Sequence, residues 1–569
     1  MDCDVAIIGG GPAGSTLGSL LKKYNPQLNV AIFERETFPR EHVGESLLPP
    51  ISRILEEMGC WDKVEAANFP IKVGATFRWG KQPELWNFEF LPAEQFVEEP
   101  RPAKYVGQRT RTAFQVDRSV YDTVLLDHAA ELGCDVRQGL KVSAVKTDDD
   151  AVTGLELESG ETVNARYYVD ASGNSGILRR ALGIGCQYPS TLRNIAIYDY
   201  WQNAEWAFKI GVGGTFISVL SVGYGWLWFI PIGPTRTSIG LVVPAEYYKK
   251  CGKNIDELYL QALGEEGIVR DRIKNATREN KLTTTRDWSF LAERQAGQNW
   301  FLIGECAGFA DPILSAGVTM AHIAAQQCAY TILELDRNKL DANWLKHEFQ
   351  ARQTQRIKTH IRFGDYWYTA NEQFKELKEF TLTLAQDIGL EMSPEAAWAW
   401  LASGGFIDEE LSYGAGGYSL GAIKAMSDHL GSVRTESPFE TNNVFKLDMT
   451  GASWKERADY AQGRVKQSQS YVRGSSVLPV DGHFDVVLGL LQRTSDITDL
   501  IGVLTSSLEA QVLDVASREE MLHRAVQVIE ALVADGWVKC SYNPNRPLWT
   551  PTVKERTVRW NQEPLTLTP

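Results

Sequence analysis

A chain of 569 residues and 63.6 kDa exceeds what one hydrophobic core usually supports, which predicts a large composite domain with an appendage and excludes a peptide-sized module. With 44% hydrophobic, 23% charged and 10% aromatic residues the chain has a globular rather than a disordered composition. A formal charge of −14 and a pI near 5.3 exclude the basic footprint of a nonspecific nucleic-acid or anionic-lipid binder, so neither nucleic acid nor membrane is an expected partner.

In chain order, Val5 to Ile8 predict a short buried strand, Gly9 to Gly14 a glycine turn, Pro12 to Tyr24 a helix, and Leu28 to Phe33 a second strand ending at Glu34. This is a βαβ opening. Nothing before it reads as a secretory leader. Further on, a strand, a hairpin around Asp148 to Ala151 and a returning strand lead to Val169 and Asp170. No charge occurs between Lys209 and Arg236, a length that would span a membrane. Gly211, Gly213, Gly214, Gly223, Gly225 and Pro231 interrupt it, so Ile195 to Pro244 predict a mostly antiparallel buried sheet instead. A strand, a loop and a long helix follow between Asn299 and Leu335.

Beyond residue 346 the texture turns charged, aromatic and helical, and residues 412–424 read as a loop or linker. The last hundred residues predict helices, a stop at Asp535-Gly536 and a short strand, the order of a winged-helix unit. From His483 onward there are eight basic against eleven acidic residues, so this unit is expected to cap or dock rather than bind DNA. The expected division is a core over 1–350 with a substrate sheet at about 190–290, a helical region and linker over 351–470, and the winged-helix-like cap over 471–569. Eight scattered cysteines without CxxC or metal-ligand spacing predict reduced thiols, no metal site and a cytoplasmic protein.

Gly9, Gly11 and Gly14 spell GxGxxG between a strand and a helix, with Pro12 and Ala13 at the helix start, where backbone amides can cradle a pyrophosphate. Glu34, at the end of the second strand, is placed to accept ribose hydroxyls. A dinucleotide is therefore expected, and the motif alone leaves NAD and FAD open. The segments around Asp170 and Asp311 resemble the second and third flavin motifs of the p-hydroxybenzoate hydroxylase group, which implies FAD and an α/β (α+β) fold with a Rossmann-like FAD domain and an antiparallel substrate sheet. Glu305 stands where that group usually has aspartate. No second GxGxxG follows a strand, so no NAD(P)H site is expected.

Three further segments, "GWLWFIP", "GATFRWGK" and "HVGESLLP", resemble the flavin-dependent halogenases of the chloramphenicol and chondrochloren biosynthetic type. "GWLWFIP" carries Trp226, Trp228, Ile230 and Pro231 of a WxWxIP motif, which implies a barrier between flavin and substrate. "GATFRWGK" ends in Lys81, which the resemblance implies is the catalytic lysine, held in a desolvated setting. "HVGESLLP" holds the GES block Gly44, Glu45 and Ser46 beside the flavin, although Ser46 also reads as a helix cap. Arg40 and Arg118 resemble cofactor-contacting basic positions. The amides of Ala316 and Gly317 are the implied halide site, and Asp311 is the implied point of any covalent flavin tether. Leu314 replaces the glutamate of tryptophan halogenases, which argues against free tryptophan. The implied activity is a halogenase using FADH₂, O₂ and chloride or bromide to make hypohalous acid. FADH₂ would come from a separate flavin reductase, and the substrate would be a phenolic, pyrrole or activated acyl group, free or carrier-protein-bound, in secondary metabolism. A related aromatic hydroxylase is the alternative.

Overall fold

The computed structural model describes residues 2–92, 95–206, 214–387, 428, 430, 437–474, 476–480, 482–511, 515–549 and 558–561. The expected linker at 412–424 lies outside them. Two units emerge, one of Met1–Ile388 with Tyr460–Val465 and Arg559–Pro569, the other of Gly389–Asp459 with Lys466–Val558. The first unit thus runs to Ile388 rather than to residue 350.

The apolar run at the N-terminus forms β1 (Asp2–Ile8), followed by α1 (Pro12–Tyr24) and β2 (Val30–Phe33). Two strands of the second sheet come next, β3 (Ile71–Arg78) and β4 (Leu85–Glu89). Helix α2 (Arg118–Glu131) and β5 (Asp135–Arg137) lead into the hairpin β6 (Val142–Asp148) and β7 (Ala151–Leu157), then β8 (Thr162–Asp170). After β9 (Arg193–Gln202), β10 (Gly214–Val222), β11 (Gly225–Pro231), β12 (Arg236–Pro244) and β13 (Thr283–Trp288), the chain returns as β14 (Trp300–Leu302). Helices α3 (Gly317–Arg337) and α4 (Ala342–Thr369) follow.

The first sheet has the order β5-β2-β1-β8-β7-β6, with β14 also on β8. β1 runs parallel to β2 with Ile8 opposite Phe33, and parallel to β8 with Ile8 opposite Asp170. These pairings bring the glycine turn, Glu34 and the Asp170 loop to the carboxyl ends of adjacent strands, the crevice where open α/β sheets bind ligands. Buried His322 of α3 ties the covering helices together: its Nδ1 lies 2.8 Å from Thr16 Oγ1 of α1 and its Nε2 2.9 Å from Tyr121 Oη of α2. Burial pushes this imidazole down to about 3, so it is neutral at physiological pH.

The second sheet contains the path β9-β12-β11-β10-β3-β4, with β13 beside β9. It is antiparallel, as the alternating sequence predicts, except where β10 pairs parallel with β3. One face packs Ile197, Leu227, Phe229, Ile239 and Leu241 on the helix Ile255–Glu265, which a capping box between Asn254 and Glu257 starts. The other face carries Trp226, Trp228 and Ile230 toward the ligand crevice.

Residues 444–473, in the second unit except for Tyr460–Val465, carry three strands, β15 (Val444–Leu447), β16 (Ser453–Ala461) and β17 (Arg464–Arg473), where helix was expected. The reason is local: Gln462 and Gly463 both hold positive φ, a hairpin turn that a helix cannot accommodate. Strand β18 (Ser476–Pro479) joins β17, and α5 (Gly482–Leu491), α6 (Ile497–Gln511) and α7 (Val515–Ala534) follow. Strand β19 (Val538–Ser541) pairs antiparallel with β15 far upstream. The next described strand, Val558–Asn561, adds to the edge of the second sheet at β4. Helices α5 to α7 and strand β19 follow one another in this order along the chain.

Candidate active site: a flavin-sized cavity walled by two tryptophans

A cavity of about 1250 Å³ opens between the two sheets. Its phosphate end is built by Gly9, Gly11, Pro12 and Ala13. Helix α1 has Pro12 in its first turn and no side-chain cap, so its leading amides remain available to an anion. Gly14 packs helix on strand: a Cβ there would lie 1.9 Å from the Gly9 carbonyl oxygen. Glu34 is 6% exposed and lines the cavity, its Oε2 accepting from Gly10 N at 2.7 Å and its Oε1 from Glu36 N at 2.9 Å. The carboxylate is thus clamped by backbone at the crevice rim. Glu34→Ala is expected to weaken FAD binding roughly ten- to hundredfold, the cost of a charge-assisted site of this kind. A flavin-fluorescence titration with unchanged affinity would assign Glu34 to the loop alone.

Arg40, Gly44, Glu45, Ser46, Arg118 and Glu305 also line the cavity. Arg118 is buried and bidentate on Asp122, at 2.7 and 2.9 Å, and donates to the Val43 carbonyl at 3.0 Å, which fixes the GES loop. Arg40 reaches the same Asp122 at 3.3 Å while its Nη1 is buried without a hydrogen-bond partner among the described residues. Ser46 Oγ is likewise buried and unpartnered. It does not cap a helix, because the next helix starts at Pro50 with Pro49 at its cap. Orphaned donors facing a cavity with bare helix amides fit a bound dinucleotide phosphate and a flavin edge. Glu45 Oε1 accepts from Tyr200 Oη at 3.2 Å, and burial holds its carboxyl above the usual range.

Two expected cofactor ligands act otherwise. Asp170 is fully buried and organises its own loop, accepting from Ser172 N at 3.0 Å and Leu178 N at 2.8 Å, while Ala171, Ser172 and Gly173 line the cavity. Asp311 turns away from the cavity, bonding Ile313 N at 2.8 Å, Asn194 Nδ2 at 3.3 Å and Tyr368 Oη at 3.3 Å. This orientation disfavours Asp311 as a covalent tether. Pro312, Ile313, Ser315 and Gly317 line the cavity instead, and Ala316 is buried just behind them. Ser315 takes positive φ (54°) and no side chain caps α3, so the turn presents amides as a nest.

Trp226 and Trp228, 2% and 4% exposed, form the far wall with Ile230, their ring centres 6.0 Å apart. Pro231 ends the strand outside the lining. The lysine differs from the sequence expectation. Lys81 is surface-placed, its side chain 36% exposed and its ammonium 3.8 Å from Glu372, and it does not line the cavity. It lies past the end of β3, where the chain leaves the sheet. Lys72, on β3 itself, is 1% exposed. Its Nζ donates to the Leu47 carbonyl at 3.0 Å and sits 5.3 Å over the Phe90 ring, with no ion pair among the described residues. Burial pushes it down to about 7. Leu47 directly follows the cavity-lining GES loop, so this amine lies behind the cavity wall. The overlooked signal is the single charge of "PIKVGATF", at a buried position of an otherwise apolar strand.

A Rossmann-like sheet with a flavin-sized crevice, joined to a largely antiparallel sheet that walls it with tryptophans, fits an FAD-dependent flavoprotein. The chain belongs to the tryptophan halogenase family, whose profile matches residues 4–101 and 91–377. It is 32% identical over 387 residues to a 1H-pyrrole-2-carbonyl-[peptidyl-carrier protein] chlorinase of Pseudomonas fluorescens, covering 66% of this chain and 85% of that one. The crystal structure of the flavin-dependent halogenase CmlS superposes with a TM-score of 0.71 at 25% identity, covering 98% of this chain and 99% of that one. The myxobacterial chondrochloren halogenase CndH gives 0.58 at 27% identity, over 75% and 96%. The protein is therefore a flavin-dependent halogenase acting with FAD, O₂ and chloride or bromide in secondary metabolism, and the hydroxylase alternative falls. No helix among the described residues is long and apolar enough to cross a membrane.

Proposed function

We propose that this halogenase receives FADH₂ from a separate reductase in the cytoplasm and uses Lys72 to deliver hypohalous acid to an electron-rich aromatic or activated acyl substrate, free or carrier-tethered. The observation that carries the reading is the Lys72 amine, desolvated behind the GES loop without a counter-ion among the described residues. Bound reduced flavin supplies the oxygen chemistry that turns halide into hypohalous acid. The α1 amides, Arg40, Glu34 and Ser46 would hold the cofactor. The amides of Ala316 and Gly317 would hold the halide, and the Trp226–Trp228 wall keeps substrate and bulk water off the flavin side. An amine poised near neutral pH presents both of its forms: the ammonium donates hydrogen bonds to hypohalous acid, and the free amine is a nucleophile for its halogen. The missing second dinucleotide motif supports external flavin reduction, and eight unpaired cysteines support a reducing compartment. The resemblance to a chlorinase of carrier-bound pyrrole makes a carrier-tethered pyrrole the first substrate to try, and Leu314 argues against free tryptophan.

The test is single-turnover mixing of enzyme and FADH₂ with oxygen, with and without bromide, in the presence of monochlorodimedone or a substrate panel of a phenol, a pyrrole and a carrier-bound pyrrole thioester. Halide-dependent halogenation of the trap and of one panel member is expected. Halogenation of the trap by wild type and Lys72→Met alike, with panel product also retained by the variant, would remove Lys72 from the reaction.

A further inference from the structure

Tyr368, near the end of α4, is 2% exposed and lies outside the sequence motifs quoted above. Its hydroxyl accepts from Trp226 Nε1 at 2.8 Å and from Asn194 Nδ2 at 3.2 Å, and donates to Asp311 Oδ1 at 3.3 Å. These three bonds use the one donor and two acceptor positions of a phenol. Asp311 carries the connection onward: the same Oδ1 accepts from Ile313 N at 2.8 Å, which shapes the turn Pro312–Leu314 and sets Ser315 at positive φ just before Ala316 and Gly317. Asn194 of β9 closes the ring by also bonding Asp311 Oδ2 at 3.3 Å. Trp79 packs edge-on against Tyr368, with ring centres 5.6 Å apart, and contacts Trp226 at 6.4 Å. The phenol therefore cannot turn without moving the tryptophan wall.

We propose that Tyr368 is a positioning residue that locks the inner tryptophan of the cavity wall to the halide-binding turn, so that halide affinity and retention of the oxidant rise and fall together. The proposal rests on reading Ala316 and Gly317 as the halide site. Tyr368 does not line the cavity. It acts through Trp226 on one side and through Asp311 on the other, and a low-dielectric setting makes each unmade bond costly. Removing the hydroxyl strands the Trp226 N–H and leaves the Asp311 carboxylate with one donor fewer, freeing both the wall and the turn.

The test uses full-length enzyme loaded with oxidised FAD, titrated with bromide and read by the perturbation of flavin absorbance. Tyr368→Phe is expected to raise the bromide Kd roughly tenfold with FAD affinity little changed, and to increase the share of oxidant caught by monochlorodimedone. Asp311→Asn is expected to weaken bromide binding similarly, and the double variant to do little more than either single one. Asp311→Asn alone carries the halide test if Tyr368→Phe does not fold. Unchanged bromide affinity in both variants, or full additivity between them, overturns the lock. A wild type that shows no bromide perturbation, while still binding FAD, overturns the halide reading itself and the lock with it.

Discussion

Lys72→Met is expected to abolish halogenation of the cognate substrate and, unusually for a core substitution in an enzyme, to make the protein more stable at neutral pH. Loss of a positioned acid, base or nucleophile removes on the order of 10²–10⁴-fold in rate, while FAD binding should persist because Lys72 does not line the cavity. The stability gain follows from the sign of the shift. The folded chain releases the Lys72 proton at about 7, the unfolded chain at the ordinary 10.5. Between those values the unfolded state binds a proton the native state lacks, so wild-type stability rises with pH across that window. Below 7 both states are protonated and the whole penalty remains. Methionine, of similar volume and uncharged, removes a penalty on the order of a few kcal/mol. The difference between variant and wild type should therefore be largest at and below pH 7 and vanish near 10.5. Denaturant titrations at pH 6.5 and pH 10 check this. A pH-independent difference would show that the amine is not held desolvated. Lys81→Ala, a change to a surface ion pair with Glu372, should leave both product and stability nearly unaltered. Loss of product there, with retention in Lys72→Met, would restore Lys81 as the reacting lysine.

The fold was legible where local patterning agrees with tertiary demand. The βαβ opening reads off four apolar residues, a glycine turn with Pro12 at the helix start, and a second strand ending at Glu34; the structure shifts only the start of that strand, from Leu28 to Val30. Strands β9 to β12 of the second sheet were readable from the glycines and aromatics of Ile195 to Pro244, whereas β3 and β4, which extend that sheet, and the parallel pairing of β10 with β3 were not. What the sequence could not give is direction. Asp170 and Asp311 sit in flavin-type motifs, yet their carboxylates point into their own loops, because each cures unpaired backbone amides before any ligand arrives. The placement of the two lysines has the same origin. Lys81 and Lys72 flank one "GATF" segment, and only the path of β3, central between β10 and β4, shows that Lys72 is inside the sheet and Lys81 beyond its end. Tyr368 was invisible for a further reason: its partners Asn194, Trp226 and Asp311 lie 174, 142 and 57 residues away along the chain.

Gly240→Ala is expected to damage this enzyme through the tryptophan wall. Gly240 of β12 stands directly opposite Trp228 of β11, and the indole lies across the space a side chain would fill. A Cβ at Gly240 would be 2.2 Å from Trp228 Cζ2 and 2.4 Å from both Cε2 and Cη2. The backbone cannot yield, since Gly240 also pairs with Tyr198 on the other side, in the middle of the sheet. The ring cannot slide sideways either: Tyr198 and Trp226 stand with ring centres 6.0 Å from it on their respective sides, and its Nε1 is anchored to Ser238 Oγ at 3.0 Å. The indole must therefore rise into the cavity that it lines, breaking the Ser238 bond. Overpacking of this kind costs about 1–3 kcal/mol in stability, but the larger effect should be functional, because the displaced ring occupies flavin space. FAD affinity is expected to fall by roughly tenfold or more, and the remaining holoenzyme should leak hypohalous acid to monochlorodimedone at the expense of substrate. Trp228→Leu in the Gly240→Ala background supplies the decisive comparison. Removing the ring relieves the clash, so FAD binding should recover while the leak persists, as a wall without its second tryptophan would require. Failure of FAD binding to recover would mean that Gly240 serves the sheet rather than the ring.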